Sequence, residues 1–169
     1  MPTGAEVFEQ LSWHWEAQLR PRIEGVTETE LHWEPVPGCW DVRDGSPDWS
    51  WPPPDPSPVT TIAWRLAHIG HCFHHRWQAH FGNRSDFGHD VPADLVAWVD
   101  EGYRLWSTSV LAADEERMNR PHQGPPGTAD QYYPLWAVVL HINREVIHHG
   151  AEVALLRDLY VRRSGPAAP

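Results

Sequence analysis

Leu135, Val139, Ile142, Val146, His149, Val153, Leu156 and Tyr160 recur at alternating four- and three-residue steps without a break. That is the period of one long amphipathic helix starting near Pro134. A single apolar stripe of this length has to be buried against other helices. Three further segments carry the same period. The first opens at Thr3, where Thr3 and Glu6 have capping-box spacing. It presents Phe8, Leu11, Trp15 and Leu19, and Pro21 is expected to end it. The second runs from about Thr60 to Phe81 through Ile62, Leu66, Ile69, Phe73 and Trp77, with Gly82 as a stop. The third starts at Pro92 and runs to about Ala112 through Leu95, Val99, Trp106 and Val110. No segment sustains strand alternation and there is no internal repeat. The spacing predicts an all-α chain, a four-helix bundle.

The connections are informative as well. Thr27 and Glu30 have capping spacing and predict a short helix through Leu31 and Trp33. Prolines 35, 37, 47, 52, 53, 54, 56 and 58 exclude regular helix between the first and second long helices. This stretch therefore reads as one long Pro/Trp-rich loop. Its Trp40, Trp49 and Trp51, with Trp33 before it, suggest that the loop packs on the domain, because exposed indoles are costly. The Asp114 to Glu116 run reads as a solvated turn, and a Pro/Gly loop is expected from Arg120 to Thr128. With 169 residues, one domain over 1–163 and a flexible tail over 164–169 account for the chain.

Composition narrows the chemistry. All 13 basic residues are Arg and none is Lys, which excludes Schiff-base and pyridoxal chemistry and a phosphate-loop lysine. Against 23 acidic residues they leave a formal charge of −10, so nucleic acid is not an expected partner. The longest apolar stretch, Leu135 to Leu140, is far short of a bilayer span, and residues 1 to 20 lack a signal-peptide pattern. Cys39 and Cys72 allow one disulfide at most. These features suit a reducing cytoplasm.

The 12 His residues are the strongest chemical signal. Eight lie on two helices: 68, 71, 74, 75 and 80 on the second, and 141, 148 and 149 on the fourth. His149 takes a core position with Glu145 four residues earlier on the same face, so both can reach one ion between them. A buried His beside a Glu can also be a plain hydrogen-bonded pair. Here, however, a His-rich helix faces it, and unpaired buried imidazole and carboxylate are expensive. On the second helix, spacing leaves His68 with Cys72 and His71 with His75 as alternative ligand pairs. Cys72 reads as a small buried hydrophobe. His14, His32, His74, His80, His89 and His122 read as surface residues. Glu145 and His148 match the Glu-x-x-His motif of di-iron bundles, yet the second helix offers no carboxylate for such a site. His-Glu-x-x-His, Gly-x-Ser-x-Gly, Cys-x-x-Cys and glycine-rich phosphate loops are absent.

The segment from Thr61 to Ile69, with His68, and the segment from His141 to Arg157, with Glu145, His148 and His149, resemble the DinB/YfiT-like superfamily of metal-binding four-helix bundles. Trp33-Glu-Pro-Val-Pro-Gly-Cys-Trp40 is similar to the loop before the second helix in that family. The resemblance covers nearly the whole chain. It implies an up-down-down-up bundle, frequent dimers and a divalent metal, often zinc and sometimes nickel. Many members use three His ligands. The His, Glu, His version is similar to the mycothiol-dependent maleylpyruvate isomerases, and by that similarity His68, Glu145 and His149 are the ligands. Against that resemblance two departures are expected: no counterpart of the isomerases' extra C-terminal domain, and a Pro/Trp insertion from Gly45 to Pro58.

Three protein ligands leave a coordination position open. The leading expectation is a metal-dependent S-transferase or isomerase in which a low-molecular-weight thiol, of the mycothiol or bacillithiol type, attacks a small electrophile. His148, His141 or His71 would assist proton transfer, Arg157 would hold a substrate carboxylate, and loop Trp and Tyr residues would line the pocket. The alternatives are a hydrolase using metal-bound water, and a non-catalytic, stress-related metal-binding protein.

Overall fold

A computed structural model describes residues 2–82, 88–121 and 132–163. The C-terminal tail from 164, His122 and most of the Arg120–Thr128 loop lie outside the described residues. The elements in chain order are α1 (Gly4–His14), a π-helical turn (Trp15–Leu19), α2 (Arg20–Ile23), α3 (Glu28–Leu31), β1 (Val42–Arg43), β2 (Ser46–Pro47), α4 (Ile62–His80), α5 (Leu95–Leu111), α6 (Glu115–Asn119) and α7 (Leu135–Arg162). The chain is mostly helical, and four long helical rods carry its core.

The capping signals operate as their spacing requires. Thr3 and Glu6 form a reciprocal capping box at the start of α1, and the Thr27 and Thr61 side chains accept from Glu30 N–H and Trp64 N–H at α3 and α4. Asp94, not Pro92, caps the third rod, accepting from Ala97 N–H, so α5 begins at Leu95. Pro21 does not end the first rod. The turn ahead of it is π-helical, with Arg20 N–H reaching back to Trp15 O, and that wider turn carries the chain through a residue with no N–H of its own as far as Ile23.

Contacts along the rods give their directions. Asn143 donates to Val7 O (2.6 Å) and Arg22 donates to Ala154 O (2.9 Å), so α1–α2 and α7 run parallel. Phe8 meets Tyr103 at 6.0 Å and Arg20 pairs with Asp100 at 2.8 Å, so α5 runs against α1. Gly70 packs on the Trp98 indole and Trp77 donates to Ser109 Oγ (2.9 Å), which makes α4 and α5 parallel. Arg65 reaches Glu152 and His68 reaches Glu145, which makes α4 and α7 antiparallel. This is up-down-down-up order, with α1 diagonal to α4. The interior is filled by fully buried Phe8, Leu11, Leu66, Phe73, Trp106 and Ile142.

Two connections differ from their sequence reading. Asp114 to Glu116 opens a short helix, α6, because Asp114 accepts from Arg117 N–H and Met118 is fully buried beneath it. The Pro/Trp-rich loop holds a small antiparallel hairpin, with Val42 opposite Pro47 and Arg43 opposite Ser46. Its turn is Asp44-Gly45, at φ 51° and 79°, the left-handed pair that a two-residue hairpin turn requires. The loop is stitched to the N-terminus of α4: Thr61 N–H donates to Trp40 O (2.9 Å), and the Asp41 carboxylate accepts from Thr61 Oγ1 (2.7 Å). Trp40 packs on Trp64 at 5.8 Å, but Trp49 and Trp51 are 72% and 79% exposed, so only part of the indole surface is covered by the domain.

Candidate metal centre

The antiparallel crossing of α4 and α7 brings three ligand-type side chains together. His68 Nε2 lies 3.8 Å from Glu145 Oε2, and His149 Nε2 lies 3.6 Å from the same oxygen. The two imidazoles meet edge to face at 4.6 Å between centroids. One donor atom from each of the three residues falls within 4.8 Å of the others, a His/Glu group that could hold a metal ion. Glu145 and His149 share a face because they are one helical turn apart.

The surroundings fix each donor. Glu152 Oε2 lies 2.6 Å from His149 Nδ1, so Nδ1–H donates outward and Nε2 presents its lone pair toward Glu145 and His68. Arg65 holds Glu152 in turn, with Nε 2.9 Å from Oε2. His68 is stacked on Trp64 at 5.5 Å with the rings 4° from parallel, and Trp64 Nε1–H donates to Asp48 O (2.8 Å). The Pro/Trp-rich loop therefore braces one member of the group.

Electrostatics suit the same assignment. Burial, helped by the facing His149, pushes His68 down to about 4. Burial and Arg65 also lower His149, against the hydrogen bond to Glu152 that raises it. Both rings are then neutral at pH 7 with lone pairs to offer. Burial acts to raise Glu145, but the Arg144 hydrogen bond, with His141 and His149, outweighs it and holds the carboxylate below its usual range. Cys72 is pushed up to about 12 by burial and by Glu145, so it stays a thiol and offers no thiolate.

His148, His149 and Glu152 form a second group of close donor atoms. His148 is exposed, and the Arg65 guanidinium already sits on Glu152, so a cation there would face a like charge. The geometry favours the first group.

The centre borders a cleft of about 450 Å³ lined by Pro47, Asp48, Trp49, Trp64, His68, His71, His75 and His89 among others. His71 faces this cleft. His141 accepts from Arg144 and lies 3.7 Å from Glu145, at the edge of this His/Glu group. His148 is at the surface, 3.5 Å from Glu152. Arg157 is not brought to the cleft at all. It forms a two-pronged pair with Glu30 (2.6 and 3.1 Å) and donates to Arg22 O and Glu24 O, so four of its five N–H donors are spent tying α7 to the α2–α3 corner, away from the cleft. Tyr132 and Tyr133 are exposed and do not line the cleft.

Two of the histidines read as surface residues are buried. His14 fits against Gly150, where a side chain would leave no room for its ring, and His80 packs on Trp106. Sequence reasoning missed Glu152 and Arg65. The signal was present in the i, i+3 spacing of His149 and Glu152.

The family model of the DinB superfamily matches residues 10–153. Comparison with curated proteins and with solved structures returns no match.

Proposed function

Since the chain belongs to the DinB superfamily, we propose that His68, Glu145 and His149 hold a divalent cation, zinc or nickel, and that the protein is a metal-dependent S-transferase or isomerase using a low-molecular-weight thiol. The observation that carries this reading is the convergence of two neutral imidazoles and one carboxylate beside a cleft of small-molecule size. Three protein donors leave a position for an exogenous ligand, the pattern of a catalytic site.

A bound cation supplies Lewis acidity, which lowers the pKa of a thiol or water that reaches the open position. The chain's own residues do the rest. Glu152 and Arg65 orient the His149 ring, and Trp64 fixes the plane of His68. Trp49 and Trp64 give the cleft apolar walls on which a thiol and a small electrophile can lie together. Among the described residues no Arg lines the cleft, and this described lining suits uncharged parts of a ligand better than an extended anion.

The test is conjugation of a fluorogenic electrophile by mycothiol or bacillithiol, with and without added zinc. Turnover is expected to need both thiol and metal and to be lost in Glu145→Gln and His149→Ala. Unchanged turnover in His149→Ala would overturn the reading. Metal-dependent turnover without any thiol would replace it with water chemistry.

A further inference from the structure

We propose that Trp49 selects the electrophile at this site, and that the electrophile carries an uncharged, planar aromatic ring that stacks on the Trp49 indole. The inference rests on the reading of the cleft as the substrate site and adds the class of substrate. Six of the described lining residues carry rings: Trp49, Trp64, His68, His71, His75 and His89. Five of these rings are already engaged. Trp64 stacks on His68, and His71 packs against both His75 and His89. The Trp49 indole has no ring partner, hydrogen bond or ion pair among the described residues. It is 72% exposed at the mouth of the cleft, so a ligand there can cover a face that no described residue covers.

The backbone sets that indole in register with the candidate centre. Asp48, just before it, donates its N–H to Asp41 O (2.8 Å), and its carbonyl accepts from Trp64 Nε1 (2.8 Å). Trp64 is the ring that lies flat on His68. From Trp49 to Ser57 every residue is exposed, so the indole can rotate onto a ligand without disturbing the core. A Trp side chain has two χ angles, so ordering it costs little entropy for the area it offers. Charge narrows the ligand further. Asp48 is the one carboxylate among the described lining residues, and its Oδ2 already accepts from Asp41 N–H (2.9 Å) and Arg43 Nε (3.2 Å). No Arg lines the cleft among the described residues. A charged ring therefore gains no fresh counter-charge there, whereas an uncharged aromatic ring gains an offset or edge-to-face contact with the indole. The cleft of about 450 Å³ has room for such a ring.

The test is binding of two unreactive probes to the full chain, with and without Zn²⁺. Benzyl alcohol carries a planar ring, and cyclohexylmethanol is its saturated, more hydrophobic counterpart. Affinities are read by NMR from the Trp49 indole N–H signal, identified by its loss in Trp49→Phe, and by calorimetry. Wild type is expected to bind benzyl alcohol about 2- to 12-fold more tightly than cyclohexylmethanol. Trp49→Ala and Trp49→Leu should abolish that preference, and Trp49→Phe should keep most of it. Trp51→Ala, at the exposed indole two residues on, should leave it unchanged. Equal affinities in wild type, a preference that survives Trp49→Ala, or an equal loss in Trp51→Ala would overturn the proposal. A preference that persists in His149→Ala, alongside no thiol- and metal-dependent turnover in wild type, would uphold it while sinking the proposed metal chemistry.

Discussion

Glu152 Oε2 lies 2.6 Å from His149 Nδ1, on the side of the imidazole facing away from Glu145. A carboxylate so placed fixes the tautomer and raises the basicity of the nitrogen opposite. Glu152→Gln keeps the shape and loses the charge. Metal affinity is expected to fall roughly 10- to 100-fold, read by competition with a chromogenic chelator. Equal affinity in the two proteins would exclude this positioning role.

His68 and His71 are both pushed down to about 4, in each case chiefly by burial. In the unfolded chain they titrate near 6.5, about the ordinary histidine value. Between those values the unfolded state takes up protons that the folded state does not. Stability is therefore full above about pH 6.5 and is lost as pH falls toward 4. The melting temperature of metal-free protein from pH 8 to 4 measures this. His71→Gln is expected to flatten the slope, and a melting temperature already flat in wild type across that window would contradict it.

Glu30 is almost fully buried and its only described cationic partner is Arg157. Removing one member of such a pair leaves a buried charge uncompensated. Glu30→Ala and Arg157→Ala are each expected to cost about 3 kcal/mol, measured by urea denaturation. Because the pair lies away from the cleft, metal binding by the folded protein should be unchanged. A loss of substrate binding at undiminished stability would restore a ligand role for Arg157.

A Cβ built on Gly70 would sit 2.2 Å from the Trp98 ring. Gly70→Ala gains about 1 kcal/mol of helix propensity, but the collision between α4 and α5 costs about 1–3 kcal/mol. Net destabilisation, seen as a lower melting temperature, is the expected outcome. A stabilised Gly70→Ala would mean that the Trp98 indole moves aside freely.

The four rods were legible because each carries a stripe, a cap and a stop within a few residues. The candidate metal group was partly legible for the same reason: Glu145 and His149 share a helical face, which spacing alone predicts. The choice of His68 over His71 on α4 came from resemblance, since their spacing is equivalent and only the crossing with α7 separates them. The features missed depend on chain-distant partners or on unusual local geometry. Arg157 meets a glutamate in α3, near the other end of the sequence, and the π-helical turn ahead of Pro21 has no simple pattern. The hairpin was missed for a different reason. Its Asp44-Gly45 signal is plain, but it is surrounded by prolines that argue for irregular chain.

Parallel α4 and α5 are consecutive, so the chain leaving His80 must travel back along the bundle before α5 can start. The described part of that return, residues 88–94, passes the cleft, and Val91 N–H donates to Gly45 O (2.7 Å) at the hairpin turn. Two crossing straps are thus joined above a rigid floor of helices. In such a chassis the floor can stay constant while straps are exchanged, so selectivity for what enters can evolve independently of what is held below.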